Sequence, residues 1–141
     1  MPSAPWPLFD RLCADGDYAP LDAAGLRDSL ERELSILLNT RSRLGLSRYA
    51  EEAASVIDWG VPDFSALSAQ SGEDRLLLQR AVLHAISCFE PRMQHLHVVV
   101  DTWPGDPQRA RVNIDASMRI GRELRRVEFT LPVDGVASEV A

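Results

Sequence analysis

The spacing of apolar residues predicts a long helix early in the chain. Between Asp22 and Ser42, leucines recur at intervals of four, four, three and one residues, which places them on one face of an α-helix. Asp22 is of the residue type that commonly caps a helix N-terminus. The leucines on the predicted buried face are Leu26, Leu30, Leu34, Leu37 and Leu38. This helix is the first predicted contributor to a hydrophobic core.

Two further helices are predicted before the pattern changes. Ser47–Asp58 favours a shorter helix with mostly alanine at its apolar positions, and Trp59–Pro62 ends it because glycine and proline interrupt a helix. Ser71 followed by Asp74 resembles a capping box at the start of a helix that reaches Phe89. The residues of this helix expected to face the core are Leu78, Val82, Ala85, Ile86 and Phe89.

After Pro91 the apolar period falls from about 3.6 to about 2 residues, which indicates strands. Arg109–Ile120 alternates apolar and polar residues without a break, and Val127–Val133 alternates again after a turn at Gly121. Together with Gln94–Asp101, these segments predict an antiparallel sheet of about three strands. Helices followed by a sheet indicate an α+β fold, in which N-terminal helices pack on one face of a small sheet.

One domain is expected to occupy residues 21–134. Residues 1–20 hold four prolines and a short apolar cluster, which predicts an extended N-terminal arm that ends in a brief helical turn. Residues 135–141 are expected to form a short C-terminal tail.

The composition excludes several classes of function. All 15 basic residues are arginine, so no lysine is present for a Schiff base or a lysine-dependent phosphate loop. The net charge of −6 disfavours nonspecific binding to nucleic acid or to an anionic membrane. Cys13 and Cys88 show no C-x-x-C spacing, which indicates a reducing compartment. No apolar stretch approaches the roughly 20 residues that cross a bilayer, and no signal-peptide pattern is present.

Three histidines raise the question of a metal site. His95 and His97 are expected on one face of a strand, and His84 lies on the preceding helix. No cysteine or carboxylate is counted at ligand spacing beside them. We therefore expect neither a metal nor another cofactor, and we interpret the two strand histidines as part of a polar strand face.

Catalytic arrangements are equally weak. Glycoside hydrolysis needs two carboxyl groups about 5 to 9 Å apart, one of them protonated, and Glu90 with Asp101 is the one pair worth considering. Arg92 favours the charged form of Glu90, which is the opposite of what a general acid requires. Cys88 lies in the last turn of an apolar helix, where a small packed thiol is the ordinary interpretation. No catalytic residue is predicted, and the chain is expected to bind other proteins.

The triplet Glu90, Pro91 and Arg92 is the most informative local feature. Pro91 stops the helix and disfavours helical backbone at Glu90, which places the triplet at the junction between helix and sheet. The planar arginine fork and the carboxylate are suited to a bidentate pair. Two interpretations stay open: the pair braces the junction within the chain, or the same groups bind a partner.

Four segments together resemble a known family. Residues 37–41 (Leu-Leu-Asn-Thr-Arg), 59–63 (Trp-Gly-Val-Pro-Asp) and 89–92 (Phe-Glu-Pro-Arg) follow the order and spacing of the lysozyme-like family of tailed-phage baseplate wedge proteins. Residues 8–12 (Leu-Phe-Asp-Arg-Leu) are similar to the start of its bacterial branch, the TssE components of type VI secretion systems. The likeness extends over residues 8–134.

Two residues depart from the family pattern. Val61 and Met93 stand where leucine is usual, but these apolar exchanges of similar volume should preserve the packing. Glu90, Pro91 and Arg92 match the signature triplet of the family, which implies that they contact a helical bundle of neighbouring subunits.

The resemblance implies a non-enzymatic baseplate subunit that joins the wedge proteins TssF and TssG, with TssK beneath them. The family fold is similar to the strand-exchanging domain of the contractile sheath, which implies a platform for the first ring of TssB and TssC. Such a subunit is expected in the cytoplasm, in a complex at the cytoplasmic face of the inner membrane. Two alternatives stay open: a baseplate protein of a phage-tail-like particle, and a muramidase that acts on peptidoglycan.

The strand pattern indicates how a sheath subunit would be held. Arg109–Ile120 is expected to be central, which leaves the strand around His95–Val100 or that around Val127–Val133 at an edge. The tail after Pro132 is too poor in lysine, proline and bulges to protect an edge well. We therefore expect an open edge that accepts a strand from a sheath subunit.

Overall fold

The computed structural model describes residues 22–45, 48–49 and 58–133. The predicted N-terminal arm, the C-terminal tail and most of the helix predicted over Ser47–Asp58 lie outside the described residues. The described residues form an α+β fold with the predicted antiparallel sheet of three strands. The predicted fold class is confirmed.

The first helix, α1, spans Ala23–Leu38. It begins where predicted, because the Asp22 carboxylate accepts a hydrogen bond from the backbone N–H of Gly25 at 2.8 Å. All five predicted leucines are buried in the core. Periodicity therefore identified both the start of α1 and its buried face.

The end of α1 differs from the prediction. The predicted helix extends to Ser42, whereas α1 ends four residues earlier. The backbone and side-chain amides of Asn39 both donate to the carbonyl of Ser35, at 3.2 and 2.9 Å, and this closes the last turn. Beyond it the chain leaves the helix, and Arg41 forms an isolated parallel bridge with Val61. Val61 is distant in sequence, so a local pattern does not reveal the path that the chain takes after the helix.

The second helix, α2, spans Gly72–Phe89. Its start follows the predicted capping box, because the Ser71 hydroxyl accepts a hydrogen bond from the backbone N–H of Asp74 at 3.3 Å. Four of the five residues predicted to face the core are buried: Leu78, Val82, Ala85 and Ile86. The fifth, Phe89, is only partly buried. The helix ends at Glu90, whose φ of −129° and ψ of 78° lie outside the helical region as predicted.

The sheet consists of β1 (Met93–Trp103), β2 (Asp106–Ile120) and β3 (Glu123–Val133) in the order β1-β2-β3. β2 is the central strand, as its unbroken alternation predicts. The β2 residues that face the helices are all buried: Ala110, Val112, Ile114, Ala116, Met118 and Ile120. Val61 and Met93, the two departures from the family pattern, are buried as well. The core therefore lies between the helices and one face of the sheet.

A bulge near the start of β1 was not predicted. The pairing with β2 passes from Gln94 opposite Ser117 to His97 opposite Asp115, so β1 contains one extra residue. His95, within this bulge, has a φ of +53°. The prediction that His95 and His97 share one strand face relied on an unbroken alternation of side chains. The bulge interrupts this alternation between the two histidines.

The described helices carry a mixture of apolar and charged residues. No helix in this part of the chain has the length and apolar character that a membrane span requires.

Candidate protein-binding site

Three of the segments that carry the family resemblance meet at one groove. Leu37 comes from the first segment, Trp59 from the second, and Phe89 with Glu90 from the third. The groove has a volume of about 450 Å³. Its full lining is Glu33, Leu34, Ile36, Leu37, Trp59, Phe89 and Glu90. Sequence order did not show that these segments are neighbours, because the contacts between them are tertiary.

Backbone hydrogen bonds hold the second segment beside the end of α1. The N–H of Val61 donates to the Thr40 carbonyl at 2.9 Å, and the N–H of Ser42 donates to the Val61 carbonyl at 2.7 Å. These bonds form the parallel bridge between Arg41 and Val61. Trp59 is thereby placed next to α1, where its partly buried ring lines the groove.

Gly60 allows this close approach. Its φ is +113°, a conformation that favours glycine. A Cβ atom at this position would lie 2.6 Å from the Thr40 carbonyl oxygen, which is closer than atoms can approach without displacement. The Tyr49 hydroxyl donates to the carbonyl of Gly60, and burial is the main factor that raises the pKa of Tyr49 above its ordinary value. The backbone at Gly60, next to the groove residue Trp59, is therefore held by Tyr49 on one side and packs against Thr40 on the other.

The groove exposes a substantial apolar surface. Ile36 is 58 % exposed at its margin, and Trp59 and Phe89 are partly buried. Phe89, which was predicted to face the core, packs against the core but is only partly buried, and it also lines the groove. Apolar residues in a concave surface of this kind are typical of protein-binding sites.

An ion-pair network forms one rim of the groove. The Arg92 guanidinium donates to both carboxylate oxygens of Glu90, from Nε at 2.7 Å and from Nη2 at 2.9 Å. The same Nη2 donates to Glu33 on α1 at 2.7 Å. Glu90 is 5 % exposed, so loss of this internal partner would leave a buried carboxylate unpaired. This geometry agrees with the first interpretation of the triplet, a brace within the chain, because Arg92 links α1 to the α2–β1 junction.

Two residues of the triplet Glu90, Pro91 and Arg92 are also accessible to solvent. Pro91 is exposed at the tip of the junction, while Arg92 and Glu33 are partly exposed beside the groove. The bidentate pair fixes the direction of the guanidinium. A partner that occupied the groove would therefore meet a rigid polar rim.

Glu90 and Asp101, the one carboxylate pair considered for catalysis, are bound to different arginines. Glu90 is bonded to Arg92, whereas Asp101 on β1 is bonded to Arg111 at 3.2 Å. The backbone N–H of Thr102, followed by Arg111, lowers the pKa of Asp101 below its ordinary value. Asp101 is thus held as an anion, which does not suit a proton donor.

The expectation that no cysteine stands at ligand spacing is wrong for His84. Cys88 follows it by one turn of α2, and the Cys88 Sγ lies 3.6 Å from the His84 Nε2. Cys88 is also exposed, not packed as predicted, since it lies in the last turn of α2, after Ile86, the last buried residue of the helix. Partial desolvation raises the pKa of this thiol. Among the described residues, no group of three or more histidine, cysteine, aspartate or glutamate side chains is placed to hold a metal ion.

Comparison with known proteins identifies the class to which the fold belongs. Residues 24–123 match the family described as baseplate wedge protein gp25. This match covers more than half of the chain, so the chain belongs to that family and is a baseplate protein. No curated protein matches the sequence.

A solved structure shares the fold. The chain is similar to a component of "The baseplate complex from the type VI secretion system", with a TM-score of 0.52 and 17 % sequence identity. The similarity covers 77 % of this chain and 94 % of that component. The helices and sheet described above are therefore the arrangement found in a baseplate subunit.

Proposed function

We propose that the chain is a TssE-like structural subunit of a type VI secretion baseplate, with no enzymatic activity of its own. Family membership and the shared fold support this proposal, as does the resemblance of residues 8–12 to the bacterial branch. The observation that carries it is the groove in which the three family segments converge. According to this proposal, the three segments together form one surface that binds the neighbouring subunits.

The groove is the proposed seat of the wedge partners TssF and TssG, with TssK beneath them. Its apolar lining next to a charged rim has the pattern of an interface core with a polar border. A helix of the predicted helical bundle would place an apolar ridge against Ile36, Trp59 and Phe89.

Glu90, Pro91 and Arg92 are proposed to act on the partner through this rim. Glu90 holds the guanidinium of Arg92 in place, and Pro91 keeps the backbone of the junction rigid. The exposed part of Arg92 then meets acceptor groups of the partner at the groove border. The brace and the partner contact are thus two roles of the same residues.

The sheet is proposed to be the platform for the sheath subunits TssB and TssC. Among the strands of the described residues, β1 and β3 lie at the edges of the sheet, as the sequence predicts. An added strand from a sheath subunit would extend the sheet through backbone hydrogen bonds. We place this assembly in the cytoplasm, at the cytoplasmic face of the inner membrane, as the family role implies.

Two alternative functions were left open by the sequence. A phage-tail-like particle would use the same fold, and neighbouring genes distinguish it: sheath genes beside a secretion ATPase gene indicate type VI secretion, whereas lysis genes indicate a particle. A muramidase is disfavoured by the bonding of Glu90 to Arg92, because the general acid of such an enzyme must be protonated. Purified chain that clears peptidoglycan, with the activity lost on Glu90→Gln, would contradict the structural role.

The groove is tested by Ile36→Glu, a charge placed at its exposed margin. We expect co-purification with TssF and TssG to fall by at least about tenfold, because the interface must then bury an unpaired carboxylate. Leu124→Glu is the matched control, since Leu124 is 50 % exposed but lies on β3 outside the groove lining. Unchanged co-purification of Ile36→Glu would overturn the assignment of the groove.

A further inference from the structure

A histidine and a cysteine lie side by side near the end of α2. His84 and Cys88 are four residues apart, so their side chains lie on the same side of the helix, one turn from each other. The Cys88 Sγ is 3.6 Å from the His84 Nε2. Neither residue lines the groove, and neither belongs to the sheet. The proposed function therefore makes no use of this pair.

The separation of the two atoms matches the requirement of a tetrahedral metal ion. Zinc binds an imidazole nitrogen at about 2.0 to 2.1 Å and a thiolate sulfur at about 2.3 Å, and its structural sites are almost always tetrahedral. A nitrogen and a sulfur ligand held at those distances and at the tetrahedral angle lie about 3.5 Å apart. The observed separation of 3.6 Å is close to this value. A zinc ion bound to both atoms therefore requires small side-chain rotations and no movement of the helix backbone.

Tyr49 supports both members of the pair. Its ring packs edge-on against the His84 ring, with the centroids 5.4 Å apart and the ring planes at 79°. Burial is the main cause of the raised pKa of Tyr49, and the nearby Cys88 thiol adds to it, so the tyrosine lies close to the cysteine as well. Tyr49 is itself buried. The pair thus rests on a fixed aromatic ring, which lowers the entropic cost of ordering the two ligands.

The pair is accessible to ions in solution. Cys88 is exposed and His84 is partly buried. Within the part of the chain that the structure describes, no third histidine, cysteine or carboxylate is placed to complete a set of protein ligands. A tetrahedral ion held by these two residues would therefore keep two positions for water. Thiolate and imidazole are ligands that zinc prefers, whereas Mg²⁺ and Ca²⁺ prefer oxygen.

We propose that His84 and Cys88 bind a divalent transition-metal ion of the zinc class. When the ion binds, the thiol gives its proton to the solvent, and the Cys88 Sγ and the His84 Nε2 become ligands without any change of oxidation state. The ion closes a ring over one helical turn and stabilises the end of α2, where the chain enters the junction at Glu90. This inference is independent of the proposed function.

Titration of the purified full-length chain with Co²⁺ tests the sulfur ligand. Co²⁺ substitutes for zinc in sites of this kind, and its bond to a thiolate produces a charge-transfer absorption band in the near ultraviolet. We expect this band in the wild-type chain, its loss on addition of Zn²⁺, and its absence in Cys88→Ser. Cys13→Ser is the matched control, because it removes the other cysteine of the sequence. No band in the wild-type chain, or a band that depends on Cys13, would overturn the proposal.

The histidine ligand is tested by His84→Gln, with His97→Gln as the control because His97 is exposed on β1. We expect the affinity for Zn²⁺ to fall by at least about tenfold in His84→Gln and to stay unchanged in the control. Zn²⁺ should raise the melting temperature of the wild-type chain above its metal-free value, because the ion binds the folded helix. Mg²⁺ should not. If His84→Gln bound Zn²⁺ as tightly as the wild-type chain, the contact between His84 and Cys88 would be a thiol–imidazole hydrogen bond only, and the proposal would be wrong.

Discussion

Arg92 shows how one residue can connect several parts of the fold. It satisfies the buried carboxylate of Glu90 and reaches Glu33 on α1, so it connects elements that are 59 residues apart in sequence. A surface arginine contributes little to stability, whereas an arginine that pairs a buried charge is needed to keep that charge satisfied. The conformation of the groove rim therefore depends on an internal ion pair.

We expect Arg92→Ala to lower the free energy of unfolding by about 2 kcal/mol, because Glu90 would remain buried without its partner. The partial exposure of Arg92 keeps this figure at the lower end of the range for buried pairs. Urea denaturation of the purified chain measures the effect. Arg126→Ala is the control, since the ion pairs of Arg126 are exposed and their loss should be smaller. A loss for Arg92→Ala no larger than for this control would contradict the bracing role.

Gly60→Ala is expected to destabilise the chain by at least about 2 kcal/mol, because it combines a positive φ with a clash against the Thr40 carbonyl. The comparison is Gly45→Ala, where nothing lies within 4 Å of an added Cβ. Thermal unfolding of both variants measures the difference. Similar melting temperatures would show that the groove wall tolerates a side chain at residue 60.

The elements differ in how well the sequence predicts their ends. Both helix starts were predicted, because Asp22 and Ser71 cap the backbone within three residues of themselves. The end of α1 was placed too late, because Asn39 caps the helix and residues 40–42 leave it to bridge with Val61. The bulge at His95 was missed for a related reason, because a strand pattern does not show where an extra residue will be accommodated.

The outer face of the sheet carries a cross-strand ion pair whose effect on pH dependence is testable. Arg126 on β3 donates to both carboxylate oxygens of Asp115 on β2, at 3.0 and 2.6 Å. This contact lowers the pKa of Asp115 below its ordinary value of 3.8. The stabilisation is therefore present above pH 3.8 and is lost as the pH falls through the pKa of the folded state.

In Arg126→Ala we expect the pKa of Asp115 to rise toward its ordinary value, and the loss of stability below that pH to become less steep. Carboxylate NMR titration of both proteins measures the shift. Asp63 is an internal control, because hydrogen bonds from Ser65 are the main cause of its lowered pKa. An Asp115 that titrates at the same pH in both proteins would exclude Arg126 as the cause.

At the scale of the whole molecule, the fold class followed from the order of periodic segments, but the candidate site did not. Residues 37, 59 and 89 are separated by long stretches of sequence, and only tertiary packing brings them to one groove. The resemblance to the family singled out all three segments without showing that they touch. The triplet was predicted as an isolated feature, and the structure adds Glu33 and the apolar lining that surround it.

The groove and the β1 edge share no residue, so the two proposed binding surfaces are separate. We expect Ile36→Glu to lose TssF and TssG while it still binds the sheath complex. We expect Val100→Pro, which removes an outward N–H from the β1 edge, to show the reverse. The double variant should lose both, with effects on each affinity that add, because separate sites without shared contacts act independently. Binding titrations of the four proteins against both partners measure this. If Ile36→Glu also weakened sheath binding by a similar factor, the two surfaces would be coupled, and the chain would not be a simple connector between wedge and sheath.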